Sequence, residues 1–222
     1  MAGMARDWAD WHRQYDEPDS SVARRLSTVR LRICAALDRA PAGRIQLVSV
    51  CAGEAREVIP VLRDHERGPD VTARLLELDP RIAAVAAEAA DDLPGVQVVE
   101  DDAALTDNYE GAVPADVVVL SGVFGNLTER SIERTISCLP QLCARNATVI
   151  WTRHRRSPEA IPCVQRWFSR HGFEELISSV PDGTGLCVGV HTFRGDPKPL
   201  RPGILMFTFA DGRTADHWPA TP

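Results

Sequence analysis

A lone glycine and a pair of acids set the chemistry to be explained. Gly53 lies in SVCAGEARE (49–57), directly after the apolar run IQLV, and Glu77 stands 24 positions beyond it in LLELDP, with Asp79 close behind. An acid at that distance from a strand-ending turn can accept hydrogen bonds from both hydroxyls of a ribose. Strand alternation sends Glu77 and Asp79 to the same side, so either can serve. Asp79 has a competing role as N-cap of a helix opening at Pro80, which gives Glu77 the preference.

The turn itself selects against phosphates. A dinucleotide loop brings a pyrophosphate onto backbone amides at a helix N-terminus, and it uses three glycines to do so. Here the corresponding positions are Cys51, Gly53 and Ala55, with Glu54 and Glu57 beside them. Each carboxylate would oppose a pyrophosphate by about 1 kcal/mol or more where solvent is excluded. A phosphate-free ligand escapes that cost, and one carrying a cation gains.

Three further stretches carry polar groups at strand ends. In VVEDDAAL, Asp101 or Asp102 can accept from an exocyclic amine of a purine, and Ala103 can offer its amide; the competing reading is a solvated acidic turn. In SGVFGNLT, Phe124 and Asn126 can touch a substrate, against the plainer roles of core aromatic and turn residue. In WTRHRRSP, Arg153, His154, Arg155 and Arg156 form a positive cluster suited to an anionic substrate, with His154 placed as a base; a solvated turn with capping residues is the alternative.

These residues need a scaffold that gathers strand ends. Helical spacing of Val22, Leu26, Val29, Ile33 and Leu37 predicts a helix within 5–40, capped by Asp19 or Ser20. Strands are expected at 44–50, 72–78, 96–100, 115–121 and 147–153, and helices at 55–65, 79–93, 128–143 and 157–172. The near-continuous apolar runs ADVVVLS and ATVIWTR suit strands covered on both faces. FEELISSV and LCVGVHTFR are separated only by a turn, so they form a hairpin. One more apolar strand is expected at 204–209, open to three roles: extending the sheet, covering the core, or forming the edge of a homodimer. Five β/α units and a hairpin make an α/β sheet with helices on both faces, whose ligands sit at the carboxyl ends of the strands.

Composition narrows the chemistry further. The 222 residues carry a net charge of −6, so no global positive field attracts nucleic acid or an anionic membrane. Lys198 is the only lysine, and neither a buried Schiff-base lysine nor a GxxxxGK[ST] loop is available. Six cysteines lack CxxC or zinc-like spacing. No apolar run approaches a membrane span and the N-terminus lacks a signal-like core, so a reduced, cytoplasmic protein is expected. Trp8, Trp11 and Tyr15 share one helical face in the N-terminal stretch DWADWHRQYDEP. That face serves either as a lid or as a staple of the first helix onto the sheet.

In order and spacing, LVSVCAGEARE, LLELDP, VVEDDA and ADVVVLSGVFGNL, with the closing hairpin, resemble a bacterial class I S-adenosylmethionine-dependent methyltransferase over about residues 45–194. The resemblance implies a Rossmann-like seven-stranded, mostly parallel sheet whose last strand enters antiparallel. Flanking it would be a helical extension (1–44) and a proline-rich tail (196–222) around a core at 45–195. It implies S-adenosyl-L-methionine as cofactor, with Cys51, Ala52 and Gly53 around its aminoacyl part, Glu77 on the ribose, Asp102 and Ala103 at the adenine, and Ser121, Gly122 and Val123 under the sulfonium. Trp11, Tyr15, Phe124, Asn126 and Arg153 are then the lid and substrate candidates. The sequence departs from the family's first motif at Ser49, Cys51 and Ala55. The stretch after the fourth strand is not the (Asp/Asn)-Pro-Pro-aromatic motif, which points away from nucleobase or glutamine nitrogen and toward a small-molecule acceptor. Two other readings stand beside it: an NAD(P)-type oxidoreductase, which would call for GxGxxG, and a non-catalytic binding or regulatory protein on the same fold.

Overall fold

The computed structural model describes residues 20–154, 160–179 and 186–209. Helix α1 (Ser21–Arg39) starts where Ser20 accepts a hydrogen bond from the Ala23 amide at 3.0 Å, one of the two caps expected from the sequence. Strands β1 (Ile45–Val50), β2 (Val71–Glu77), β3 (Val96–Glu100), β4 (Ala115–Leu120) and β5 (Cys143–His154) then alternate with helices. These are α2 (Ile59–Asp64), α3 (Pro80–Ala89), α4 (Glu129–Cys138) and, after β5, α5 (Ala160–Arg170). Strands β6 (Phe173–Ser179) and β7 (Leu186–Phe193) close the sheet.

The seven strands run in the order β3-β2-β1-β4-β5-β7-β6. β1 to β5 are mutually parallel, and β7 pairs antiparallel with both β5 and β6. The expected Rossmann-like sheet and its antiparallel closing strands are therefore present. Alternation splits the apolar runs between two faces. Leu47, Val117, Val119 and Ile150 pack under Val29, Ile33 and Leu37 of α1. Val48, Val118, Leu120, Val149 and Trp151 pack under Ile132 and Ile136 of α4 and Val164 and Phe168 of α5. Both faces are dry, which is why the central strands read as unbroken apolar sequence.

Several elements differ from the sequence expectation: the helix expected at 79–93 is Pro80–Ala89 and the strand expected at 147–153 is Cys143–His154. The helix expected at 55–65 is only Ile59–Asp64. Ala55 has φ of +54°, a left-handed conformation that cannot continue into an α-helix, and Pro60 occupies the first turn of the shortened one. The helix expected to reach residue 143 ends at Cys138, before Pro140. The strand expected at 204–209 makes isolated antiparallel bridges, Leu105 with Leu205 and Leu127 with Phe209, instead of joining the sheet.

That last segment is a strap. The Lys198 amide donates to the Pro140 carbonyl and the Arg201 amide to the Gln141 side chain. The buried Thr106 hydroxyl donates to the Arg201 carbonyl at 2.8 Å and accepts from the Ile204 amide at 3.0 Å. The Met206 amide donates to the Ala104 carbonyl, and Met206 and Phe207 enter the core. Of the roles open to this segment, covering the core is the one it performs here.

Candidate functional site

The loop after β1 repeats one conformation at every second residue. Cys51, Gly53 and Ala55 have φ of +52°, +60° and +54°. The left-handed region is free to glycine and costs other residues about 1–2 kcal/mol each. The backbone path that three glycines would favour is therefore kept with one. It is held from outside: the Ala52 amide donates to the Leu76 carbonyl at 2.7 Å, and the Gly53 amide donates to Glu77 Oε2 at 2.8 Å. Ala52 and Ala55 are buried, where a larger side chain would have no room to turn with the backbone.

Glu77 and Asp79 divide their duties. Glu77 Oε1 accepts the amides of Leu78 and Asp79, each at 2.9 Å, so both oxygens of this half-buried carboxylate are oriented by backbone. Asp79 is the N-cap of α3, accepting the Arg81 amide at 2.9 Å and its guanidinium at 2.9 Å. Burial pushes the Asp79 carboxyl up, but the Arg81 side chain and amide outweigh it and hold the pKa below its ordinary value.

At the end of β3, Asp101 is exposed and Asp102 is buried. Asp102 Oδ1 accepts the Ala104 amide at 2.9 Å, its carbonyl accepts Asn108 Nδ2, and the Ala103 carbonyl accepts the Tyr109 hydroxyl at 2.6 Å. Burial, with Glu77 and Asp102 nearby, raises the Cys51 thiol well above its ordinary pKa, which favours the protonated thiol.

At the end of β4, Gly122 takes φ of +76°; its amide donates to Thr152 Oγ1 at 2.7 Å and its carbonyl accepts Asn126 Nδ2 at 2.7 Å. Ser121 donates to Glu57 Oε1 at 2.9 Å. Val123 is buried behind this turn. The strand ends thus bring together half-buried Cys51, Gly53, Glu77, Ser121, Gly122 and Asn126.

Other candidates are used differently. Phe124 is fully buried, 5.8 Å from Trp151 and 6.4 Å from Phe168 between ring centroids, so it is packed as a core aromatic. Arg153 is also buried: its guanidinium donates to the Ala160 carbonyl at 3.1 Å and lies 3.7 Å from Glu129, tying β5 to α4 and α5. It is not an open anion receptor. His154 ends β5, but its side chain lies outside the described residues, as do Arg155, Arg156, Trp8, Trp11 and Tyr15.

The acids of the loop are also not the bare charges the sequence suggests. Glu54 pairs with Arg56 at 2.5 Å. Glu57, buried, lies 3.7 Å from the Arg25 guanidinium, itself buried on α1. Sequence reasoning missed Arg25 and Thr152. The signal for Arg25 was its place inside the apolar stripe of α1, between Val22 and Val29 and beside Leu26, where an arginine needs a partner. Thr152 had none, being one polar residue in a buried strand.

Among the described residues no cluster of three His, Cys, Asp or Glu side chains can hold a metal, and no helix is long and apolar enough to cross a membrane. No protein-family model matches the chain. No curated protein matches it either. Solved structures do. Magnesium protoporphyrin IX methyltransferase from Synechocystis PCC 6803 is similar in two forms. The form with bound SAM has a TM-score of 0.60 at 12% identity, covering 86% of this chain and 99% of the other. The form with bound SAH has a TM-score of 0.63 at 12% identity, covering 84% and 93%. An O-methyltransferase family protein from Burkholderia thailandensis has a TM-score of 0.60 at 18% identity, over 78% of this chain and 56% of that one. At these identities the likeness is one of architecture, and with the observed strand order it shows that this chain has the class I methyltransferase fold.

Proposed function

We propose that this chain is an S-adenosylmethionine-dependent methyltransferase acting on a small-molecule acceptor, with its core at 45–195 and the segments 1–44 and 196–222 flanking it. The observation that carries the reading is the 2.8 Å bond between the Gly53 amide and Glu77, which sets a strand-end acid against a left-handed turn. That donor set suits a nucleoside and not a phosphate. Its charged acceptor, Glu77, suits hydroxyl donors, and the turn brings no lysine to meet a phosphate. Similar structures solved with SAM and with SAH support the same cofactor.

S-adenosylmethionine, when bound, supplies an electrophilic methyl group that passes to a nucleophile in line with the departing sulfur. The residues of this chain bind and orient. Glu77, fixed by three amides, accepts the ribose hydroxyls. Asp102 and the Ala103 amide face the purine. Cys51, Ala52 and Gly53 line the aminoacyl part, and the Ser121–Val123 turn, braced by Thr152 and Asn126, forms the floor. Such a displacement depends on positioning and on exclusion of water more than on acid–base groups. His154, at the end of β5, is assigned as the base for an acceptor that must lose a proton.

Titration calorimetry with S-adenosylmethionine and S-adenosylhomocysteine tests the reading, followed by a methyl-transfer screen across small-molecule acceptors. Binding of neither by folded protein overturns it. Binding of both with no turnover on any acceptor favours the non-catalytic alternative.

A further inference from the structure

His191 ends a chain of contacts that begins in the core and leads to a groove. It stands on β7 opposite Val149 of β5 and Glu175 of β6, five residues on from Leu186, which pairs with the last residue of β5. At about 3.3 Å per residue that places it roughly 17 Å from the strand ends where the proposed function puts the cofactor. A groove of about 630 Å³ opens here between α5 and β6, lined by Pro162, Ser169 and Phe173 and by His191 itself. Clefts that hold small ligands have such volumes.

The hydrogen-bonding state of the ring follows from its neighbours. An indole N–H can only donate, so the 3.1 Å bond from Trp151 Nε1 makes His191 Nδ1 an acceptor without a proton. Burial disfavours the imidazolium, so the ring is neutral near pH 7 and its one proton sits on Nε2. Stacking on Phe168 at 4.1 Å fixes the ring plane. A Cβ at Gly189 would collide with the Trp151 indole, so that glycine admits the partner. Nδ1 faces the core, and the opposite edge of the ring, with Nε2, is the one turned to the groove. Among the described residues Nε2 has no acceptor, although His191 is 1% exposed. A buried donor left unpaired forfeits its hydration, and such groups are rare in folded proteins.

We infer that the groove between α5 and β6 is a ligand site, which takes a small uncharged molecule with an apolar ring and an amide or ketone carbonyl that accepts from His191 Nε2. Phe173 and Pro162 supply the apolar wall. The rim selects against an anion. Glu174, paired with Arg194, and Glu175 both line it, and the Gln165 side chain that binds Glu175 is a neutral amide that leaves its charge in place. Arg166, also on the rim, is turned along its own helix to Cys163 Sγ at 2.9 Å. A neutral carbonyl avoids the acids and satisfies the donor. The inference does not depend on the methyltransferase reading.

The test uses benzamide as the probe and benzoate as its anionic counterpart, on the full chain. Proton–nitrogen NMR follows the His191 Nε2–H signal, identified by its contacts with the Trp151 and Phe168 rings. Affinity is read from its shift and, where His191 is replaced, from the Phe173 amide. Benzamide should shift the signal saturably, and benzoate should bind about tenfold more weakly. His191→Phe should lower benzamide affinity about tenfold, the worth of one hydrogen bond to a desolvated donor. Ser169→Trp, which fills the groove from an exposed position, should abolish the shift while leaving the signal in place, and it carries the test if His191→Phe does not fold. No saturable shift with benzamide, an undiminished shift in Ser169→Trp, or benzoate bound as tightly as benzamide overturns the inference. So does an ordered water that stays on Nε2–H when benzamide is added, which would make His191 a hydrated core residue. Binding of S-adenosylmethionine by the same protein reports on the methyltransferase reading separately.

Discussion

The backbone amide of Gly53 and the carboxylate of Glu77 meet at 2.8 Å, joining the carboxyl ends of β1 and β2. Asp79, two residues further on, is turned to a different task and caps α3. Substitution should separate the two. Glu77→Ala removes the loop brace and, on the proposed function, the ribose acceptor, and should weaken S-adenosylmethionine binding at least tenfold. Asp79→Ala should cost about 1 kcal/mol of stability, the usual worth of an N-cap, with a smaller loss of affinity. Calorimetry and denaturant unfolding on both variants check this, and the reverse order of affinities would reassign the ribose to Asp79.

Cys51 holds φ of +52° without being glycine. Cys51→Gly should relieve the left-handed strain and raise stability by about 1 kcal/mol, seen as a higher denaturant midpoint at unchanged slope. Cys51→Val, β-branched at the same φ, should lower the midpoint.

His191 gives the fold a pH dependence. Its ring is 1% exposed, stacked 4.1 Å from Phe168, with Nδ1 accepting the Trp151 indole N–H at 3.1 Å, and burial lowers its pKa to about 4. The unfolded chain takes up this proton near pH 6.5 and the folded chain does not, so stability is fully present above pH 6.5 and falls as pH drops toward 4. The loss should reach about 3 kcal/mol across that window. Unfolding measured from pH 7 to 4 should show this slope, and His191→Gln should flatten it.

Thr106 satisfies two strap groups at once, the Arg201 carbonyl and the Ile204 amide. Thr106→Val keeps the volume but strands both, and should cost about 1–3 kcal/mol. Because Thr106 follows the Asp102–Leu105 turn, affinity for S-adenosylmethionine should fall alongside. Measuring both on one preparation tests whether the strap supports the adenine end.

What the sequence made legible follows from where each residue finds its partners. The strands around Val48 and Val118 were readable because burial on both faces leaves an unbroken apolar run. The loop was readable from Gly53 and from the acid that follows one β/α unit later. The conformation of Cys51 and Ala55 was hidden, since their residue types argue against it and it is held by the bonds of Ala52 and Gly53 to β2 and of Ala55 to Ala52, Val58 and Ile59. The pairing of Glu57 was hidden for a related reason. The cation beside it, Arg25, comes from α1, 32 residues earlier in the chain. Phe124 and Arg153 looked available at a strand end and are consumed by packing against α4 and α5.

The strap also fixes when the site is finished. The turn at 102–106 takes its last partners from residues 201–206, nearly a hundred positions later in the chain. During synthesis the N-terminal strands and the Gly53 turn emerge first, while Thr106 and the Ala104 carbonyl wait for a segment still inside the ribosome. The nascent chain therefore carries the Gly53 loop well before the turn at 102–106 gains its last partners. The turn at 102–106 is complete only once residue 206 has cleared the exit tunnel.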